Sequence, residues 1–190
     1  MSAPNLLQVN PLRSRLEAGE QILWEGRPIR LAYTFRGSPF VFVFSLVWLG
    51  FALFWEGSVL SFRSAPPFFI VWGAVFVLFG LYAAVGRFWV AAREADRTWY
   101  TVTDQRVIIR TGAFRERTIE LWLGSLPQPQ LDEGVGRVGT ITFGPIGPYM
   151  TYVGGGWPGT RAGTPAALIA IPDAARVFRL IDRARAAAGG

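Results

Sequence analysis

Apolar residues are unevenly spaced along this chain, and their period changes along it. Two stretches carry no charge: residues 39–55, PFVFVFSLVWLGFALFW, and residues 66–86, PPFFIVWGAVFVLFGLYAAVG. The hydrocarbon core of a bilayer is about 30 Å thick and takes roughly 17–25 apolar residues as a helix. The two runs therefore predict a transmembrane helical hairpin over residues 39–86, with Trp48, Trp55 and Trp89 as interfacial aromatics. Gly73 and Gly80 stand two helical turns apart, Ala84 extends their face, and Ser45 and Ala52 repeat the spacing on the first helix. Small residues let helix backbones approach closely. That face is assigned to packing within the hairpin, with a larger membrane partner or self-association as the alternative.

From residue 98 onward the period is two. In TWYTVTD, Trp99, Thr101 and Thr103 alternate with Tyr100 and Val102; RVIIRT follows a turn at Asp104 and Gln105. The next strand, AFRERTIELWL, follows Thr111 and Gly112, where glycine tolerates positive φ. Its Ile119, Leu121 and Leu123 face one way and Glu116, Thr118 and Glu120 the other, the alternation of a half-buried antiparallel sheet. GRVGTITFG supplies a further strand, YMTYVGG another, and AALIAI closes the sheet. The period then becomes helical. Ala174, Val177, Phe178 and Ile181 form one apolar stripe behind Asp173, a candidate N-cap. Residues 98–190 are thus expected to form one domain, joined by a linker, 87–97, to the hairpin. Residues 1–38 are expected to be a cytoplasmic juxtamembrane segment. Within it, Ile22, Leu23 and Trp24 form a short strand or a membrane-facing anchor.

Charge adds an orientation. Arg27, Arg30 and Arg36 precede the first run and Arg87, Arg93 and Arg97 follow the second, whereas the loop between has one Glu and one Arg. The positive-inside rule places both termini in the cytoplasm, with a short loop outside. No signal peptide is expected at the N-terminus. All 19 basic residues are arginine, against 13 acids, for a net charge of +6. Such a balance suits anionic surfaces. Residues 98–190 carry ten arginines against seven acids without a basic stripe, so no nucleic-acid partner is expected.

The chain has no Cys and no His. Disulfides, thiolate nucleophiles and the commonest general base and metal ligand are therefore excluded. Asp132 and Glu133 are the adjacent carboxylates of residues 98–190, placed in a loop. No cofactor or metal is expected. GVGRVG and GGGWPG lack the Lys-Ser/Thr ending and the strand–loop–helix setting of a phosphate loop. Arg106, Arg110, Arg115 and Arg117 cluster around the first two turns of the sheet and are candidate contacts for anionic lipid or a partner. The alternative makes them solvated strand residues paired with Glu116 and Glu120. Tyr149, Tyr152 and Trp157 lie in a stretch, residues 144–165, with seven Gly and four Pro, and are candidate aromatic contacts.

The order of these elements resembles a known family. A hairpin, then YTVTDQRVIIRTGAFRERTIELWLGSL, then GTITFG, then IPDAARVFRLIDRA is similar to the bacterial pleckstrin-homology-like domain family, and GEQILWEGRP to the lead-in of its membrane-bound members. The resemblance spans residues 19–184. It implies an α+β fold: a two-helix transmembrane hairpin, then an antiparallel sheet partly closed into a barrel and capped by a C-terminal helix. It supplies no catalytic residues. Related domains often bind phosphoinositides through a basic loop between the first two strands. The matching turn here, Thr103 to Arg106, has one Arg and one Asp. The expected function is a non-enzymatic, membrane-anchored interaction module of the bacterial inner membrane. It would bind membrane lipids or another membrane protein, or assist assembly of a membrane complex. An enzyme or accessory factor of lipid or cell-envelope metabolism is the alternative.

Overall fold

The computed structural model describes residues 12–37, 39–62, 64–144 and 166–188. A short strand β1 (Ile22–Gly26) and a helix α1 (Arg30–Thr34) come first. Helix α2 (Pro39–Ser61) and helix α3 (Pro67–Leu81) form an antiparallel hairpin. A wide π turn, Tyr82–Gly86, carries α3 without a break into α4 (Arg87–Arg97). Strands β2 (Trp99–Thr103), β3 (Arg106–Thr111), β4 (Arg117–Trp122), β5 (Pro129–Glu133), β6 (Gly139–Phe143) and β7 (Ala166–Ile171) follow, and α5 (Ala174–Ala188) closes the chain.

The strands form two antiparallel sheets, in the orders β1-β2-β3-β4 and β5-β6-β7. Their apolar positions meet in one core. Tyr100, Val102, Val107 and Ile109 come from the first sheet and Ile141, Phe143, Leu168 and Ile171 from the second. The expected stripe of α5 joins this core through Ala174, Val177 and Ile181, with Phe178 partly buried. Each fully buried Ile or Leu contributes about 1.5–3 kcal/mol. Gly112 holds φ at +143°, and a Cβ there would lie 2.0 Å from the Arg115 carbonyl oxygen, so the β3–β4 turn requires glycine.

Of the two alternatives for Ile22, Leu23 and Trp24, the strand is the one formed. β1 pairs with β2 through Ile22↔Thr103, Trp24↔Val102, Glu25↔Thr101 and Gly26↔Tyr100. The hairpin is therefore inserted between two neighbouring strands of one sheet. The stretch expected as a linker, 87–97, is helical instead. Its burial at Arg87, Val90, Ala91, Glu94 and Ala95 has the spacing of an amphipathic helix, and that face packs on α1. Asp132 and Glu133 lie on strand β5 rather than in a loop. The strand expected over residues 149–155 lies outside the described residues. Asp173 has φ of +48°, and its carbonyl oxygen accepts from the Arg176 and Val177 amides.

Pro39–Ser61 and Pro67–Arg97 are both long and apolar enough to cross a membrane. Only 11% and 22% of their most apolar windows are buried inside the molecule. A core helix of a soluble protein would be mostly covered, so this exposure suggests association with a membrane. Gly73, Gly80 and Ala84 are all buried. Gly80 meets α2 closely: a Cβ would lie 3.1 Å from the Leu49 Cα. Gly73 has a different task, since a Cβ there would overlap the Glu56 carboxylate. Gly80→Leu is expected to force the helices apart and cost about 1–3 kcal/mol. Thermal unfolding in mild detergent measures it; an unchanged midpoint would show that Gly80 does not set the helix separation.

Candidate functional site

Strand β3 runs between two ends of the domain that differ in chemistry. At one end α4 feeds directly into β2 through Thr98, and Trp99 pairs with Arg110. There the Phe114 ring, on the β3–β4 turn, packs at a tilt against Trp89 of α4, 6.1 Å between centroids. Both rings are exposed, and Arg115 and Arg117 are exposed beside them. This end lies at the foot of the hairpin. Arg110 also lies toward it, but it is ion-paired with Glu116.

Arg106 begins the same strand at the opposite end. It is 5% exposed and held by three carboxylates: Glu20 at 2.9 Å, Glu120 at 3.0 Å and Glu17 at 3.3 Å. Its Nε donates to Glu20 Oε1 and its Nη2 to Glu20 Oε2, a two-pronged pair. The Thr103 hydroxyl and the Glu17 amide donate to the same carboxylate. Burial pushes the Glu20 carboxyl up, but these hydrogen bonds and the Arg106 charge outweigh it and hold it below the usual carboxylate range. The hydrogen bond to Glu20 likewise holds Arg106 above its ordinary value.

The four arginines expected at one surface are thus divided. Arg106 is enclosed and neutralised because a segment distant in sequence supplies its acids. The cross-strand pairs with Glu116 and Glu120, the alternative reading, are formed by Arg110 and Arg106. Arg115 and Arg117 stay exposed. Tyr149, Tyr152 and Trp157 lie outside the described residues. Asp132 and Glu133 are exposed neighbours on β5, and consecutive strand residues point to opposite faces, so they do not converge on one substrate atom. Among the described residues no group of three or more Asp, Glu, His or Cys could hold a metal ion.

A surface not singled out in the sequence is a cleft of about 510 Å³ between β1 and α5. Leu23, Leu180 and Ala184 give it an apolar floor, and Arg176, Arg179 and Arg183 provide its charge. The three arginines recur at i, i+3 and i+7 on the face of α5 next to the core stripe. Leu23 is exposed, and β1 is the edge strand of its sheet. The helical spacing of the arginines was legible. Their pairing with Leu23 was not, because β1 lies far upstream.

A family model described as bacterial PH domain matches residues 39–185. The chain belongs to the bacterial PH domain family. It is also similar to an uncharacterized 23.7 kDa protein in the puhA 5′ region of Rhodobacter capsulatus, 30% identical in an alignment 182 residues long that covers 89% of this chain and 81% of that protein. No solved structure matches the chain. Membership of the bacterial PH domain family points to a binding module. In this PH domain the pairing strand β1 lies ahead of the matched residues, so one wall of the cleft is contributed from outside the family match.

Proposed function

We propose that this PH domain is a membrane-anchored interaction module of the bacterial inner membrane whose β1–α5 cleft takes an acidic segment of a partner protein. The observation that carries the reading is the insertion of the hairpin between paired strands. Because β1 and β2 are neighbours, both ends of the hairpin leave the bilayer on one side. Arg27, Arg30, Arg36, Arg87, Arg93 and Arg97 flank those ends, which supports the cytoplasm as that side. Phe114, Trp89, Arg115 and Arg117 then rest at the inner leaflet, where aromatic rings and arginines are favoured. The cleft presents an edge strand, an apolar floor and three cations. An extended segment alternating apolar and acidic residues complements all three. Holding one partner against the bilayer in this way suits the assembly or scaffolding of a membrane complex.

The test uses the full chain in detergent and a fluorescent peptide of alternating Glu and Leu. Anisotropy is expected to report binding that weakens with salt and is lost when Arg176, Arg179 and Arg183 are all changed to Gln. Equal binding by that variant would remove the cleft from the proposal. Reporter fusions at residues 57–61 and at Gly190 test the orientation; periplasmic activity at Gly190 but not in the loop would reverse it.

A further inference from the structure

The β3–β4 turn, residues 112–116, is fastened to α4 rather than left as a free hairpin tip. Arg93 Nε and Arg97 Nη1 both donate to the Ala113 carbonyl, at 3.3 and 3.2 Å. Just behind it the Thr98 and Thr111 hydroxyls are hydrogen-bonded at 3.0 Å. Ala113 is buried, yet Phe114 beside it is 68% exposed. A fixed turn thus holds a phenylalanine outward, against a tryptophan that is itself 60% exposed, Trp89. Paired exposed rings of this kind mark a contact surface.

Helix α4 gives the depth of that surface. It continues α3, and the whole helix, Pro67–Arg97, has 31 residues. At 1.5 Å per residue Trp89 stands about 33 Å along the axis from Pro67, the far edge of a hydrocarbon layer about 30 Å thick. Phe114 packs on Trp89, so the turn shares its level. Arg93, one helical turn further on, lays its guanidinium 5.7 Å from the Trp89 ring and 6.0 Å from the Phe114 ring. On another flank of α4, exposed Phe35 packs 5.2 Å from Phe88. Aromatic rings at one level with arginines just beyond them suit a water–bilayer boundary.

Charge names the lipid. Arg115 and Arg117 are exposed, and Glu116, the acid of the turn, is ion-paired with Arg110. The turn therefore presents net positive charge around its aromatic tip, which complements an anionic leaflet. We infer that the β3–β4 turn is a lipid-binding finger: Phe114 enters the boundary between headgroups and acyl chains beside Trp89, and Arg115 and Arg117 contact anionic headgroups around it. The inference rests on the proposed spanning hairpin. It gives the PH domain a second hold on the leaflet, separate from the hairpin and from the β1–α5 cleft. The turn that the resemblance would single out, Thr103 to Arg106, lies at the other end of β3 with its arginine enclosed.

The chain has no cysteine, so a single introduced one takes a spin label without other changes. The full chain is placed, one copy per disc, in nanodiscs of phosphatidylglycerol or phosphatidylcholine. The label sits at Phe114→Cys or, as a reference, at Ser125→Cys, exposed just past the far end of β4. In phosphatidylglycerol the label at 114 is expected to collide with a water-soluble nickel chelate about threefold less often than the label at 125, and to favour oxygen, which dissolves in lipid. The unlabelled parent should unfold at higher temperature in phosphatidylglycerol than in phosphatidylcholine. That gain should shrink in high salt and vanish when Arg115 and Arg117 are both changed to Gln. Equal nickel access at 114 and 125 would overturn the finger. So would shielding of 114 from both probes, which protein contact would give, or equal midpoints in the two lipids. A double variant that keeps the full gain overturns the arginine contacts. Alkaline carbonate washing separates the two readings. A parent that stays in the membrane pellet with 114 open to nickel has lost only the finger, whereas release into the supernatant removes the spanning hairpin and the finger with it.

Discussion

Ile181→Asp is expected to leave the PH domain unfolded. Ile181 is fully buried on α5, in a core built from both sheets. The substitution removes an apolar side chain and places a carboxylate in the cluster of Val177, Leu168 and other apolar groups. Losing the packing costs about 2–5 kcal/mol, and burying an unpaired charge adds several more. The sum rivals the whole stability of a typical domain, about 5–15 kcal/mol. Limited proteolysis of the full chain in detergent reads the result: residues 98–188 should be degraded while the hairpin fragment persists. A variant as resistant as the parent would show that the stripe of α5 does not face a core.

Arg106→Gln is expected to cost about 3–5 kcal/mol at neutral pH, because Glu20 is left buried without its cation. The pH dependence gives the sign. The folded-state pKa of Glu20 is depressed, so its stabilisation is fully present above the unfolded carboxyl value of about 4.3 and is lost as pH falls through the lower folded value. The parent should therefore lose stability below about pH 4. In Arg106→Gln the carboxyl is buried without its guanidinium, protonates more readily, and the deficit against the parent should shrink in acid. Thermal unfolding midpoints at pH 7 and pH 3.5 measure the difference. A deficit that stays constant across that range would mean Glu20 is not the group that Arg106 supports.

Local pattern was enough for much of this structure. The two uncharged runs, the period-two strands and the stripe of α5 each carry their signal within one segment, and those that fall on described residues are formed. What escaped depends on partners distant in sequence. Ile22 to Gly26 is too short to show an alternation, and it becomes a strand because Tyr100 to Thr103 offer it an edge. Residues 87–97 looked like a linker because arginines interrupt the apolar run, although their spacing is helical once Arg87 and Glu94 are allowed to be buried. Strand β5, PQLDE, opens with proline and carries two acids, which mask its pairing with β6. Among the candidate contacts, Arg106 had the same local signature as Arg115. Glu17 and Glu20, more than eighty residues upstream, join the cross-strand Glu120 to turn Arg106 into an enclosed ion pair rather than an exposed cation.

The strand order also dictates a sequence of events during synthesis. β1 leaves the ribosome before either hairpin helix, and its partner β2 emerges only after both. With the hairpin spanning the bilayer as proposed, the first strand must wait, unpaired, until both helices are inserted. If only one helix crosses, β1 and β2 finish on opposite sides of the bilayer and the sheet cannot close. Under the proposed topology, closure of the domain is thus a built-in proofreading step, in which a correctly threaded membrane segment is the condition for a protease-resistant fold.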